Sequence, residues 1–368
     1  MSIKIESVCL YPYSIPLATP FRISAGTIFN TDGLRVSVTA NGVTGWGEAS
    51  VDLVPFYAHE TVGAAIDVIK NALEPLLKNK SFDHPDEVTA LMAHFRRNNF
   101  AKAALDAAIW DIYGKMSDSP VWKLLGGVNR QFESGPSIGI KDCPEKTVET
   151  VGRMLELGDA RIKIKVCPGA DTPFIEAVRN AFPDIRLMVD ANNAFSLSDA
   201  DLIAGWDRFK LLMIEQPLDE SDIYFHSLLR KKVRNPICLD ESIHTMNDAE
   251  SCAALQAADI INIKVCRVGG LTNARKIHDF CKANNIANWI GGRVGSGVAV
   301  AARIAAATLE NCTLPSDCVL DSMYMSDDLL QEPFSHKNYK VNAPLKNGLG
   351  FEIDMDKLKH YQVDKIQL

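Results

Sequence analysis

Five charged residues stand at a nearly constant interval through the middle of the chain: Lys165, Asp190, Glu215, Asp240 and Lys264. Each closes or nearly closes a short apolar run: RIKIKV (161–166), RLMVD (186–190), LLMIE (211–215), ICLD (237–240) and IINIK (260–264). Such runs, separated by helix-like segments, read as the buried strands of successive βα units. In a parallel barrel the C-terminal ends of the strands meet at one mouth, where a charge after an apolar strand reads as catalytic. A strand that is only reaching solvent also ends in a charge, but five in succession at one interval argue for a shared task.

Asp190, Glu215 and Asp240, on adjacent strands, would bring three carboxylates together, and these repel one another without a cation. An all-oxygen set suits Mg²⁺, with Mn²⁺ as the alternative; Zn²⁺ more often takes His or Cys, and no His stands at these strand ends. A metal-free cluster of partly protonated acids is the competing reading. Along 161–166 the period of two places Arg161, Lys163 and Lys165 on one face, and the apolar face must meet the outer helices, so the cations point inward. Desolvation and a like-charged neighbour favour the neutral amine that a general base needs; an ion-paired structural lysine is the alternative. Amines on two sides of a divalent cation suit removal of the proton α to a carboxylate, giving an ene-diolate whose charge the metal neutralises.

The elements that must position these groups fall into two kinds. Ile3 to Leu10 and Leu34 to Ala40 have strand composition, and Asn41-Gly42 before VTGWGEA predicts a two-residue hairpin. Helical spacing follows over His59–Leu77, Asp86–Arg97 and Ala101–Met116, which makes residues 1–125 an α+β unit ending at Leu125-Gly126-Gly127. From 126 to 324 the strand-helix alternation, with NWI (288–290) as its last clear strand, favours a closed (β/α) barrel over a doubly wound sheet; no G-x-G-x-x-G lies between strand and helix.

Composition excludes several classes. The 368 residues are 47% hydrophobic and 23% charged, the profile of a globular chain with material for a large core. A net charge of −7 with no basic run points away from nucleic acid and from anionic membranes. Nine scattered cysteines without a C-x-x-C pair read as reduced thiols. No signal peptide is legible at the N-terminus, and the apolar run Val298–Leu309 is short and carries Arg303, so a cytoplasmic protein is expected.

Together with Lys163-x-Lys165, the motifs VDAN (189–192), IEQP (214–217), LDES (239–242) and NIK (262–264) followed by RVGG (267–270) resemble the muconate-lactonizing subgroup of the enolase superfamily. PFRISAGT (20–27), TGWGEA (44–49), AKAALDAAIWD (101–111), SIGI (137–140) and NGLGFEID (347–354) are similar to o-succinylbenzoate synthases and N-succinylamino acid racemases, over essentially the whole chain. Enolase-superfamily sites are known for pairing a Lys or His base with Mg²⁺. The resemblance implies a modified (β/α)7β barrel under an α+β cap that the tail, about 325–368, completes. It also implies Mg²⁺ on Asp190, Glu215 and Asp240, Lys165 assisted by Lys163 on one substrate face, Lys264 on the other, and Asn192 and Glu241 beside the ligands. A small-molecule carboxylate substrate and a homo-oligomer follow from the same likeness. The implied reaction is racemisation or epimerisation of an N-acylated amino acid, with o-succinylbenzoate synthesis by syn-dehydration as the alternative. A non-catalytic, carboxylate-binding barrel is the reading from another class.

One segment departs from the family pattern. Relatives commonly read Gly-Gly-Met-Leu-Glu-Ser/Thr-Gly where this chain has Gly291-Gly292-Arg293-Val294-Gly295-Ser296-Gly297, so a Glu is lost and an Arg gained. Arg293 could hold a second substrate carboxylate or face a structural one. Ser137, Arg293 and Asp321 are the candidate substrate contacts, and Val319 breaks the Asp-x-Asp pattern of dipeptide epimerases. His244 reads as a helix-start or surface residue. The glycines of 291–297 are a weaker candidate for cradling phosphate.

Overall fold

A computed structural model of the chain describes residues 2–158, 161–318 and 324–368. Three long strands open it, β1 (Ile3–Ile23), β2 (Gly26–Ala40) and β3 (Val43–Ala49), antiparallel in that order. Asn41 and Gly42 both take left-handed backbone, with φ of 51° and 73°, as their dipeptide predicts for the β2–β3 turn. The β1–β2 ladder is much longer than the composition indicates. It runs past Pro12 and Pro16, and after a register shift between Pro16 and Phe21 it continues to Ile23 and Gly26. Prolines, which cannot donate to a ladder, mask this extension in the sequence.

A short β4 (Ser81–Phe82) pairs with β1, and the helix Asn99–Met116 packs under the sheet. The approach is so close that a Cβ on Gly47 would lie 1.9 Å from the Ala104 carbonyl oxygen, which leaves β3 no choice but glycine there. Phe100, Leu105, Ile109 and Ile112 share one cluster with Val8, Leu34, Val36 and Val38. Each such buried side chain contributes about 1.5–3 kcal/mol.

The second body follows β5 (Gln131–Glu133). Among the described residues seven parallel strands are hydrogen-bonded in chain order: β6 (Ser137–Ile138), β7 (Arg161–Lys165), β8 (Arg186–Asp190), β9 (Ile214–Glu215), β10 (Ile237–Leu239), β11 (Ile260–Ile263) and β12 (Ala287–Ile290). The first of them is absent from the sequence-based rhythm because two residues give no periodicity to read; the helix Pro144–Glu156 behind it, with Val148, Val151, Met154 and Leu155 at helical spacing, was readable and was passed over. Residues 316–318 bridge the outer strands: the Asp317 amide donates to the Ile290 carbonyl at 2.9 Å, and the Gly135 amide to the Ser316 carbonyl at 3.0 Å. The ring is thereby joined, in keeping with the modified barrel expected. Most of the expected eighth-strand segment, including Val319 and Asp321, lies outside the described residues.

The tail ties the bodies together. β13 (His336–Lys337) and β14 (Lys340–Asn342) extend β5, while β15 (Ile366–Gln367) pairs with β1. Inside the ring Met188, Met213, Cys238, Ile260 and Trp289 form an apolar floor. Two residues beyond three of these stand Asp190, Glu215 and Asp240, so the strand period lifts the carboxylates one layer above the floor. No helix among the described residues is long and apolar enough to cross a membrane.

Candidate active site

The five charged positions converge. Lys165 lies opposite Asp190 and Asp190 opposite Glu215 in the parallel ladders, while Asp240 follows the end of β10 and Lys264 the end of β11. Above them lies an open cavity of about 780 Å³ whose lining includes Lys163, Lys165, Lys264, Tyr57, Ser137 and Arg293. Its outer wall holds Phe21 and Ile23 of β1 and Phe56 of the following loop, so the extended hairpin and the loop after β3 roof the barrel.

The two lysine sides are built differently. Lys165 Nζ donates to Asp190 Oδ2 at 2.6 Å and Asn192 Oδ1 at 2.7 Å; Asn192 in turn donates through Nδ2 to Glu241 Oε1 at 2.8 Å. Asn192 meets both partners with φ 42°, a conformation asparagine tolerates better than most residues. Lys264 Nζ lies 2.7 Å from Asp240 Oδ2 and donates to the Tyr57 hydroxyl at 2.5 Å. Arg267 Nη2 also donates to that hydroxyl, at 2.6 Å, and its Nη1 pairs with Asp240 Oδ1.

Asp190, Glu215 and Asp240 are all buried. Asn262 Nδ2 donates to Glu215 Oε1 at 2.6 Å, and the Gln216 side-chain oxygen accepts from the amides of Asp240 and Ser242 at 2.8 and 3.2 Å. In this conformation the acids are turned to the lysines, and among the described residues no three His, Cys, Asp or Glu side chains close into a ligand shell. The donor set nevertheless fits a hard divalent cation in chemistry, burial and adjacency. Burial and the neighbouring Asp190 push the Glu215 carboxyl well above the usual range, the strain that a cation would relieve. Beside it, Glu241 Oε2 is buried without a hydrogen-bond partner among the described residues.

Charge is distributed unevenly over these groups. Burial works against ionisation of Asp190 and Asp240, but Lys165 and Lys163 hold Asp190 below its ordinary value, and Arg267 and Lys264 do the same for Asp240. Lys163 corrects one expectation. Burial favours its neutral amine, yet Asp317 at 2.6 Å and Glu215 at 3.3 Å, with Asp190, outweigh burial and raise its pKa, so it stands as a held ammonium. The Trp289 ring centroid, 4.9 Å from its Nζ, adds a cation–π contact.

The remaining predicted residues separate. The Ser137 hydroxyl lines the cavity and is buried without a partner among the described residues, while its backbone amide donates to the Tyr324 hydroxyl at 3.0 Å. Arg293 faces structural groups: its Nη2 pairs with Asp52 and its Nη1 donates to the Ser50 carbonyl at 2.8 Å. A Cβ on Gly295 would lie 2.8 Å from Glu48 Oε1, so the space where relatives carry an acid abuts a buried carboxylate from β3. Asp321 lies outside the described residues. His244 precedes Thr245, the N-cap of the helix Met246–Leu255; burial, Arg267 and His59 push its pKa down to about 4. Two amides of the 291–297 segment that a phosphate would need are taken: Ser296 N donates to Glu48 and Gly297 N to Asp328.

Sequence reasoning passed over Tyr57, Arg267, Asn262 and Asp317. Asn262, two residues before Lys264 on one strand, was readable from the period of two. Arg267 sits within the RVGG motif. Tyr57 and Asp317 carry no local signal, because their roles arise from contacts more than 150 positions away in the chain.

Comparison with known proteins defines the class. Residues 5–126 match the mandelate racemase / muconate lactonizing enzyme N-terminal domain and residues 146–357 match the enolase C-terminal domain-like family. The chain belongs to this family of enzymes, the enolase superfamily. It is 40% identical over 362 residues, covering 98% of this chain and 96% of the relative, to an o-succinylbenzoate synthase of Geobacillus kaustophilus. It is 37% identical over 348 residues, 94% of each chain, to an N-succinylamino acid racemase of Amycolatopsis. A solved enolase-superfamily structure from Listeria innocua superposes with TM-score 0.96 at 32% identity, over 100% of this chain and 99% of that one.

Proposed function

We propose that this protein abstracts the proton α to a substrate carboxylate, forms an ene-diolate, and acts as a racemase or epimerase of an N-acylated amino acid or a related carboxylate. The observation that carries this is the placement of two amine side chains, Lys165 and Lys264, on β7 and beyond β11, with three carboxylate-bearing strands between them. Asp190, Glu215 and Asp240 would hold Mg²⁺, or Mn²⁺, which when bound supplies positive charge opposite the negative charge that develops on the substrate carboxylate.

The chain's own residues do the rest. Lys165 and Lys264 take and return the α proton, one from each face. Lys163 keeps its charge and contributes positive potential beneath the carboxylate layer. Asn192 and Glu241 orient Lys165, and Ser137 offers an unengaged hydroxyl to the substrate. The division into a cap of residues 1–125 plus about 325–368 and a barrel of 126–324 is part of the same reading, as is a homo-oligomer.

A second reading is favoured by the name of the relative at 40% identity: o-succinylbenzoate synthesis by syn-dehydration, with one lysine abstracting the proton and returning it as hydroxide leaves. Incubation with Mg²⁺ and a panel of N-succinyl and N-acetyl amino acids in D₂O decides between them. α-Deuterium by NMR is expected in at least one member; turnover of the cyclohexadiene precursor with no exchange in the panel would establish the second reading and sink the first.

A further inference from the structure

We propose that the Arg293–Asp52 pair is a positioning latch that holds Tyr57 against Lys264 and so sets the direction of the amine on that one face of the site. The inference rests on the two-sided reading above and adds residues to it. The loop after β3 leaves the sheet at Ala49 and is closed at its base where Asp52 and Thr61 form an isolated bridge, with the Val62 amide donating to the Asp52 carbonyl at 2.9 Å. Arg293, from the segment between β12 and the helix Gly297–Ala307, grips the base of this loop at two points, the Asp52 carboxylate and the Ser50 carbonyl. The far end is held by the cap itself: Glu60 accepts from the amides of Phe100 and Ala101 at the start of the helix Asn99–Met116.

Tyr57 hangs between these anchors. Its hydroxyl receives hydrogen bonds from Lys264 and Arg267, and Arg293 Cζ lies 5.4 Å from its ring centroid. The near limb of the loop has little else to hold it, since Leu53 and Val54 are 62% and 63% exposed. The latch is desolvated, with side-chain exposure of 12% for Arg293 and 11% for Asp52, so removing Arg293 leaves the Asp52 carboxylate buried without its cation. On the Lys165 side the cap reaches only the backbone, where Ser24 Oγ donates to the Asn192 carbonyl at 2.9 Å; among the described residues the amine itself is oriented by Asp190 and Asn192 of the barrel. An Arg gained at 293 is thus spent on placing the roof rather than on the substrate.

The test compares wild type with Asp52→Asn, Arg293→Gln and the double variant. Hydrogen-deuterium exchange by mass spectrometry reads the latch: amides of 53–60 are expected to exchange faster in all three, with the double no faster than the worse single. Solvent-deuterium incorporation reads its consequence. The enantiomer still exchanged by Lys165→Ala defines the Lys264 face, and incorporation there is expected to fall about tenfold or more, against less than about threefold on the other face. Equal losses on both faces, additive effects of the two single substitutions, or unchanged amide exchange over 53–60 would each overturn the latch. Were wild type to exchange neither enantiomer, the racemase reading would fall, and the amide exchange alone would decide the latch.

Discussion

The two sides of the mouth reach similar chemistry by different routes. On the Lys165 side both partners of the amine come from the next strand or the turn after it, Asp190 at the end of β8 and Asn192 two residues on, with Glu241 from beyond β10 and Ser24 of the β1–β2 turn holding Asn192 in turn. On the Lys264 side the amine meets Asp240 from the neighbouring strand but also Tyr57, which is 207 positions away and belongs to the roof. One side is a product of barrel periodicity; the other is complete only when the cap closes over the barrel. The amine of the first side takes its partners from the barrel, and that of the second depends also on a loop of the cap.

The sharpest way to break the comparison is to remove each amine. Lys165→Ala and Lys264→Ala are each expected to lower α-proton exchange on their own face by about a thousandfold while the opposite enantiomer keeps exchanging, as loss of a general base predicts. Loss on both faces from either substitution would show that the two sides do not work separately. Asp240→Asn strikes the shared layer. It leaves Lys264 and Arg267 beside a neutral partner, so a loss of about 3–5 kcal/mol in urea unfolding is expected. The stabilisation that excess Mg²⁺ gives wild type should vanish in the same variant; a Mg²⁺-dependent rise in melting temperature that survives would remove Asp240 from the ligand set.

Acids with and without an ammonium neighbour make a further contrast. Asp190 and Asp240 are held low by lysines and Arg267, whereas Asp106, fully buried in the cap helix with Thr89, Thr272 and the Leu271 amide as uncharged partners, is raised by burial to about 6. A folded value above the ordinary 3.8 means that the native state binds this proton more tightly, so its contribution favours folding below about pH 4 and is lost as pH rises to about 6. The difference is worth about 3 kcal/mol. Asp106→Asn should therefore gain stability relative to wild type between pH 4 and 6, read from urea midpoints; parallel profiles would show that Asp106 is not the titrating group. The smallest effect belongs to Tyr57→Phe, which removes one hydroxyl and should slow exchange on the Lys264 face about tenfold while leaving the Lys165 face alone. Equal slowing on both faces would mean that the roof serves the whole mouth.

Much of the barrel was legible because its signal is local. Apolar runs ending in a charge every 24 or 25 residues located β7 to β11. Elements without periodicity were not legible. β6 has two residues, and the β1–β2 ladder passes through prolines that weaken any strand signal. The protonation of Lys163 was misjudged for a related reason: burial of an amine can be inferred from a strand pattern, but Asp317, which restores its charge, follows the last helix of the ring and has no fixed spacing to β7.

What the sequence determined by itself is the set of groups at the strand ends, because a period of two and a regular βα interval leave those side chains no other direction to point. What only the tertiary structure decided is which of them are paired, and by what. The fate of Arg293 depends on Asp52 and Ser50 in the cap, and the setting of Lys264 depends on Tyr57 in the roof. These contacts join residues more than 200 positions apart, and electrostatic partnership follows distance in space, which no local pattern of residues encodes.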